Sequence, residues 1–455
     1  MAIDYQALIG HLMRHGGDLG EVFHEENNAL TLVLDDNRME QVIGGVESGI
    51  GLRLLASGRS SYTYGNDMAR EALMQLADTL ARRHKGGAAE VKPLQAVSAR
   101  SCWEVEQPPG DVEMAAKIDL MQKVNQAARF VDKKRIRQVK VRYMELARHI
   151  NIANSLGVLA NESRLQLALA IQCVAEENGV LQTGYEVIGG ASGWEALRNA
   201  ADVARKAAER AVRMLSARPA PSGTMPVVLA ASAGGTMIHE AVGHGLEADL
   251  VWEKLSVYAG KLGQTVASPL ISVVDDGTLP TWRGSASFDD EGASTQRTLL
   301  IENGVLKAYM TDWLSAQRLG LAQTGNGRRE SYRHQPISRM TNTMILSGTD
   351  NPDEIIKDTP SGLLVTKMGG GQVNTVNGDF VFEVAEGFLL ENGRQGEPVR
   401  GATLVGNGPQ VLMDIDRVGS DLGIAIGTCG KDGQGVPVGD AQPTLRIPHM
   451  VVGGQ

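Results

Sequence analysis

The stretch MPVVLAASAGGTMIHEAVGHGLEAD, residues 225–249, contains the residues around which the rest of the chain is organised. Its apolar run, Val227 to Ala230, predicts a buried strand. Small residues and glycines follow, and a helix-compatible segment then carries His239, Glu240 and His244. Zinc hydrolases use this combination, in which imidazoles bind the metal and a neighbouring carboxylate deprotonates a water.

The spacing of the two histidines requires a distorted helix. In the common His-Glu-x-x-His pattern, ligands four residues apart are separated by roughly 40° around a regular helix. His239 and His244 are five residues apart, which puts them roughly 140° from each other. They can share a metal only if the helix is widened or ends between them. Gly243 and Gly245 make a π-like turn or a frayed end inexpensive, so we predict a metal site on a distorted helix.

Residue type alone leaves the third ligand open. Two carboxylates lie close behind the histidines, and cysteine and histidine candidates occur further along the chain. Glycines at 427 and 430 would leave the thiolate between them accessible, and a nearby metal would lower its pKa. The candidates are Glu247, Asp249, His334, Cys429 and His449.

The segment HEAVGHGLEAD at 239–249 resembles the signature of the TldD/PmbA family, specifically its metal-bearing TldD branch. That family consists of zinc metallopeptidases first described as modulators of DNA gyrase. The resemblance implies that His239 and His244 are zinc ligands and that Glu240 is the general base. It also implies a third ligand near the C-terminus, where Cys429 occupies the matching place.

The resemblance extends over nearly the whole chain. It includes residues 44–51 and is strongest over five further segments, at 235–249, 288–311, 325–343, 368–408 and 423–440. It implies a dimer with the active site in an internal cavity that small or unfolded peptides can reach. The partner would be a second copy or a PmbA/TldE-like subunit.

The sequence predicts an α+β protein of two domains. Residues 1–218 would form an N-terminal support and assembly domain of mixed helices and antiparallel strands. Residues 223–455 would form a β-rich, barrel-like peptidase domain that carries the metal-binding helix. The proline- and glycine-containing segment at 218–223 predicts the linker between them.

Hydrophobic periodicity in the N-terminal half predicts a helix over residues 4–16, an antiparallel meander and a long helix over Trp194–Leu215. A turn is predicted at Asn27-Asn28. The basic run at 133–142 is interpreted as the solvated face of a strand. The meander strands are predicted at Ala29–Leu34, Arg38–Ile43, Gly49–Leu55 and Ser60–Tyr64.

Two Asn-Gly pairs in the C-terminal half, at 303–304 and 392–393, predict hairpins of one barrel-like sheet. The acidic run at 289–291 could bind a cation, although turn and capping chemistry explains it without a metal.

Candidate substrate-binding residues occur in two further segments. Arginines could hold a substrate carboxylate or stabilise developing charge, or they could form structural pairs. Glycines could admit the backbone of an extended peptide next to the sheet, or they could serve tight turns. The candidates are Arg328, Arg329, Arg339, Asn342, Gly370 and Gly371.

The amino-acid composition argues against several classes of function and location. The chain has 44 Lys plus Arg against 53 Asp plus Glu, a net charge of −9, so a nucleic-acid or anionic-membrane partner is not expected. Cys102, Cys173 and Cys429 are too few for a disulfide framework, and no signal peptide or membrane-spanning run is evident. We therefore expect a cytoplasmic protein.

The sequence thus predicts a zinc-dependent peptidase acting on small or unfolded polypeptides. Two alternatives remain at this stage, a metal-dependent hydrolase of a non-peptide amide and a non-catalytic modulator or binding protein. The carboxylate of Glu240 disfavours the second, because a scaffold needs no base beside a metal ligand.

Overall fold

The computed structural model describes residues 3–99 and 105–454, so Cys102 lies outside the described residues. The chain is a strand-rich mixture of helices and sheets, as the α+β prediction required. Among the described residues, no helix is both long and apolar enough to cross a membrane.

The N-terminal half is one seven-stranded sheet with helices packed against it. The elements of this half are α1 (Tyr5–Leu12), β1 (Leu19–Asp35), β2 (Arg38–Ala56), β3 (Arg59–Gly65), α2 (Arg70–Ala81), β4 (Gln95–Val97), α3 (Met114–Val131), β5 (Ile136–Asn154), β6 (Val158–Glu177), β7 (Val180–Gly190) and α4 (Ala200–Leu215). The strands run in the order β3-β2-β1-β5-β6-β4, and β7 also pairs with β6.

The predicted meander is present, but its strands are longer than the sequence indicates. Residues 38–56 form the single strand β2, although a break was predicted after Ile43. Glycines there permit close packing rather than a turn, since a Cβ on Gly49 would lie 2.3 Å from the Tyr332 ring. The turn predicted at Asn27-Asn28 is also wrong, because both residues are paired within β1 on its two sides.

Two other N-terminal predictions have different outcomes. The basic strand is confirmed: Val139 and Val141 are fully buried while the charged residues between and beside them are exposed. The single helix predicted over Trp194–Leu215 is wrong, because a short 3-10 turn at Trp194–Leu197 precedes α4. The buried alanine face of α4 packs on the sheet together with α3.

The C-terminal half contains two sheets and a small strand pair. The strands of this half are β8 (Arg218–Pro219), β9 (Gly223–Leu229), β10 (Val273–Asp276), β11 (Arg297–Glu302), β12 (Val305–Leu306), β13 (Gly327–Arg328), β14 (Ile337–Ser338), β15 (Asn342–Ile345), β16 (Ser361–Val373), β17 (Asp379–Glu391), β18 (Arg394–Arg400), β19 (Thr403–Asn407), β20 (Arg417–Val418), β21 (Gly423–Lys431), β22 (Gln434–Gln442) and β23 (Leu445–Gly453). Of these, β9, β16, β17, β19 and β23 pair in a closed ring, which makes a five-stranded barrel.

Short helices connect these strands. They are α5 (Thr236–Ile238), α6 (Ala248–Trp252), α7 (Trp313–Leu319), α8 (Pro352–Lys357) and α9 (Gly408–Asp414).

Both Asn-Gly hairpins are present, but they do not share one sheet as predicted. The turn at 303–304 joins β11 to β12 in a six-stranded sheet of order β12-β11-β10-β15-β22-β21. The turn at 392–393 joins β17 to β18 in the sheet that forms the barrel. Local turn chemistry fixes each hairpin, whereas sheet membership depends on strands distant in sequence.

Buried charges join the two halves of the molecule. Glu291 is paired with Arg53, and Asp290 with Arg164 at 2.6 Å. The Asp289 carboxylate accepts hydrogen bonds from the backbone N–H groups of Glu291, Ala293 and Gly327. The acidic residues at 289–291 therefore accept hydrogen bonds within a turn and form ion pairs. This is the alternative to a cation site that the sequence left open.

Candidate metal centre

A short, irregular helical segment leaves the barrel at the end of β9 and carries the two histidines. After α5, residues His239–Gly243 form a π-helical turn and His244–Leu246 a 3-10 turn. The segment packs too closely for larger residues, because a Cβ on Gly243 would lie 2.1 Å from the Met340 sulfur. The widened turn required by the five-residue spacing is present in the structure.

The widened turn brings the two imidazoles together. The ring centroids of His239 and His244 lie 5.1 Å apart with the rings perpendicular. Cys429 approaches them from β21, and its Sγ lies 3.4 Å from His244 Nε2. One candidate ligand atom from each of the three residues lies within 4.8 Å of the others. The structure thus brings together two nitrogen donors and one sulfur donor that are separate in sequence.

The electrostatics of this cluster favour a thiolate. Burial raises the pKa of Cys429, but hydrogen bonds and charge from His239 and His244 outweigh it and lower the pKa to about 5. Burial lowers the pKa of each histidine, and their polar neighbours reverse that effect, so both values are raised. Thiolate is the form of cysteine that binds metals, so the neighbours of Cys429 favour its metal-binding form.

Glu247 orients His244. Its Oε2 accepts a hydrogen bond from His244 Nδ1 at 3.0 Å, which leaves Nε2 facing Cys429. Glu247 is fully buried, which raises its pKa, but Lys431 and His244 outweigh burial and lower the pKa to about 2. A carboxylate on the second nitrogen of a ligating histidine is a common outer-shell arrangement in metal sites. The structure thus puts this candidate ligand behind His244.

A Glu247→Gln substitution is therefore expected to weaken metal binding by about 10- to 100-fold without unfolding the chain. The amide keeps the shape of the side chain but loses the charge that holds His244. Metal affinity measured by competition with a chromophoric chelator checks this expectation. Glu253→Gln is the matched control, because Glu253 is exposed shortly after this segment. Unchanged affinity in Glu247→Gln would contradict the orienting role.

Arg339 links Glu247 to the strand that bears the cysteine. It is fully buried, donates from Nη2 to the Cys429 carbonyl at 2.6 Å and from Nη1 to the Gln434 carbonyl at 3.2 Å. Its Nε lies 3.9 Å from Glu247 Oε1. Arg339 therefore contacts both sides of the site, which agrees with the structural alternative that the sequence left open for it.

The other predicted third ligands are engaged elsewhere or exposed. Both carboxylate oxygens of Asp249 accept from Lys431 Nζ at 2.7 Å. His334 Nδ1 lies 3.0 Å from Ser331 Oγ, and His449 is exposed. Their contacts differ from those of Cys429, whose sulfur faces an imidazole.

Glu240 lies on the open side of the cluster. Its side chain is 25% exposed, and its Oε2 lies 4.0 Å from His244 Nε2. A carboxylate within hydrogen-bond reach of a bound molecule can exchange protons with it.

The predicted substrate-binding polar residues are buried and already engaged. Arg328 donates to the carbonyls of Met340 and Pro437, and Arg329 is paired with Glu21. The Asn342 side chain donates to the Asp276 carbonyl at 2.6 Å. Their observed contacts stabilise the surrounding strands.

The two predicted substrate-binding glycines differ from each other. Gly370 is exposed, and an added Cβ would meet nothing within 4 Å. A Cβ on Gly371 would lie 1.9 Å from the Phe382 ring, so this glycine serves packing within the barrel. The pairing of β16 with β17 is irregular between Met368 and Gly371.

Family models of the PmbA/TldA metallopeptidases match three parts of the chain. Domain 1 matches residues 20–83, the central domain 107–215 and the C-terminal domain 222–454. The C-terminal match contains every residue of the candidate metal centre.

Two curated relatives carry metalloprotease names. A metalloprotease TldD homolog of Haemophilus influenzae is 36% identical over 449 residues, covering 96% of this chain and 93% of the relative. A zinc metalloprotease TldD homolog of Saccharolobus solfataricus is 32% identical over 250 residues, covering 54% of this chain and 55% of the relative.

Two solved structures share the fold. A Thermotoga maritima protein named as a candidate modulator of a DNA gyrase superposes with a TM-score of 0.81 at 23% identity, covering 96% of each chain. TldE from Thermococcus kodakarensis gives a TM-score of 0.78 at 17% identity, covering 99% of this chain and 100% of that one. Together with the three domain matches and the long alignment to the Haemophilus relative, these likenesses show that the chain belongs to the PmbA/TldD family of metallopeptidases.

Proposed function

We propose that the chain is a zinc-dependent peptidase whose metal is held by His239, His244 and Cys429. The observation that carries this proposal is the convergence of two imidazoles and a low-pKa thiol in one buried cluster. Nitrogen and thiolate donors suit zinc, and three protein ligands leave a fourth position open, as in catalytic zinc sites. The buried carboxylate behind His244 supplies the orienting contact that such a site needs.

Glu240 is the proposed general base. When bound, zinc would act as a Lewis acid that polarises a carbonyl and lowers the pKa of a water to about 7. The Glu240 carboxylate then accepts the proton of the attacking water and passes it to the leaving amine. Its partial exposure beside His244 gives it access to both the water and the substrate.

The proposed substrate is a short or unfolded peptide bound in extended form. Beyond Val365, β16 has no neighbour among the described strands on the side where β9 pairs, because β9 contacts only Leu363–Val365. Gly370 is exposed there with open space around it. An extended peptide can add to such an edge through main-chain hydrogen bonds, which requires the substrate to be unfolded locally.

The decisive experiment compares one substrate protein in its native form and in its reduced, alkylated form. Zinc-loaded chain is expected to fragment the unfolded form and spare the native one, chelation should stop cleavage, and zinc should restore it. Mass spectrometry of the products gives the cleavage sites. Turnover that survives complete metal removal would overturn the proposed chemistry.

The same experiment separates the alternative functions. Zinc binding without cleavage of any peptide, but with hydrolysis of small amides, would indicate a non-peptide amidase. Zinc binding without any hydrolysis would indicate a modulator or binding protein.

We further propose that the chain works as a dimer in the cytoplasm. The shared fold with TldE supports a partner of the PmbA/TldE kind, and a second copy of this chain is the alternative. The free thiols of Cys173 and Cys429 fit a reducing compartment.

A further inference from the structure

A cavity lies where the N-terminal sheet meets the strands behind the candidate metal centre. It has a volume of about 320 Å³ and is lined by β1, β5 and β6 on one side and by the segments 283–290 and 328–330 on the other. Thr428, Gly435 and Pro437 of the β21–β22 hairpin form part of its wall. Because side chains alternate along a strand, Thr428 faces away from the side of β21 on which Cys429 lies.

The lining carries an excess of positive charge. Five arginines face three carboxylates, in a protein whose net charge is −9. The carboxylates are already engaged: Glu145 pairs with Lys117, Asp290 pairs with Arg164, and Glu330 accepts from the Gly435 N–H. The arginines are Arg148, Arg164, Arg283, Arg328 and Arg329.

Two of these arginines have no acidic partner within ion-pair distance anywhere in residues 3–99 and 105–454. Arg283 donates to the Gly427 carbonyl at 3.0 Å and to Gln166 Oε1 at 3.3 Å. Arg328 donates only to backbone carbonyls, one of them that of Pro437 at 2.7 Å. Burial lowers the pKa of both, that of Arg328 to about 10. By contrast, Arg148, Arg164 and Arg329 each pair with a carboxylate.

Arg328 is buried and Arg283 is half-buried. Removing a guanidinium from water without a counter-charge is costly, and carbonyl contacts offset only part of the cost. Both unpaired groups rest on the same two-stranded ladder, because Gly427 and Pro437 belong to adjacent pairs of the β21–β22 hairpin. The N–H donors of a planar guanidinium match the geometry of the oxygens of a carboxylate or a phosphate, which they can bind in pairs. An anion in the cavity would supply the negative charge that neither guanidinium finds within ion-pair distance.

We propose that this cavity is a binding site for a compact oxyanion, a carboxylate or a phosphate, held by Arg283 and Arg328. The bound anion would neutralise the two guanidiniums that support the strand presenting Cys429. This proposal is independent of the peptidase chemistry, because it concerns the opposite side of β21.

Calorimetric titration of the full-length protein with inorganic phosphate tests the site. Saturable binding at millimolar or lower concentration is expected, and Arg283→Gln should weaken it by about 10- to 100-fold because one charge-assisted contact is lost. Arg394→Gln is the matched control, since Arg394 is exposed on β18, and its affinity for phosphate should equal that of the wild type. A circular dichroism melt confirms that each variant is folded.

A second variant keeps the proposal testable if Arg283→Gln does not fold. Thr31 is partly buried and lines the cavity from β1, so Thr31→Glu introduces a competing carboxylate next to the arginines. Loss of phosphate binding with an unchanged or raised Tm supports the site.

Two peptide probes identify the source of the oxyanion. A blocked peptide with a free C-terminal carboxylate is compared with its amide in competition against phosphate. Displacement by the acid alone assigns the site to peptide carboxylates, and no displacement by either assigns it to free phosphate. Absence of saturable phosphate binding, or binding that both variants leave unchanged, overturns the proposal.

Discussion

Replacing Glu240 with glutamine is expected to lower kcat for peptide hydrolysis by about 10²–10⁴-fold, the usual contribution of a general acid–base group. Glutamine keeps the size and hydrogen-bonding reach of the side chain but cannot accept the proton of the attacking water. Glu240 is 25% exposed and its Oε2 lies 4.0 Å from His244 Nε2, so the substitution should neither open a cavity nor remove a ligand. The zinc content is therefore expected to stay at the wild-type level.

The measurement is single-turnover cleavage of a fluorogenic unfolded peptide, together with elemental analysis of the same preparation. Glu253→Gln serves as the control, because it removes the same charge from an exposed position and should leave both quantities unchanged. Wild-type turnover in Glu240→Gln would assign the base to another group. Loss of zinc from the variant would instead show that Glu240 helps to retain the metal.

The local geometry of the site could be predicted from the sequence, because it depends on residues that are close together in the chain. The five-residue separation of His239 and His244 requires a widened turn, and the π-helical turn at 239–243 has that geometry. The prediction needed only helix geometry and the conformational freedom of Gly243 and Gly245. In the structure these two glycines also permit close packing, since neighbouring side chains leave no room for a Cβ.

The choice of Cys429 over the other candidate ligands needed information that spacing does not contain. Cys429 is 185 residues from His244, and only the packing of β21 beside the helical segment brings the two together. Glu247 was equally suitable by residue type, yet it lies behind His244 and orients it. Its position three residues after His244, one turn along a helix, is the signal that could have indicated this role.

The roles of the arginines also depended on tertiary structure. Arg328, Arg329 and Arg339 were predicted as substrate contacts or structural pairs, and the folded chain engages all three in buried contacts. The glycine run at 44–51 was interpreted partly as a strand break, whereas it lies inside β2 with Tyr62 and Tyr332 packed against it. Glycine occurs both in turns and in tightly packed strands, so the sequence alone could not distinguish these two roles.

Replacing Cys429 with alanine is expected to remove zinc from the purified protein. Apparent binding free energies of about 10–16 kcal/mol for structural zinc sites, shared among four ligands, imply roughly 2.5–4 kcal/mol per ligand, or about 10²–10³-fold in Kd. The lost ligand is also the charged one, because the histidines lower the pKa of Cys429 to about 5 against the opposing effect of burial. Two neutral imidazoles alone hold zinc far less tightly than the intact set.

Elemental analysis of wild type and variant, both purified without added metal, is the measurement. Cys173→Ala provides a stringent control, because it makes the same substitution at another buried cysteine. Burial raises the pKa of Cys173 to about 12, so its thiol stays protonated within the β5–β6 core. We expect about one zinc per chain in wild type and in Cys173→Ala, and little in Cys429→Ala. Zinc retained by Cys429→Ala would move the third ligand to Glu247 or Asp249, which would require the Lys431 contacts of both carboxylates to break on metal binding.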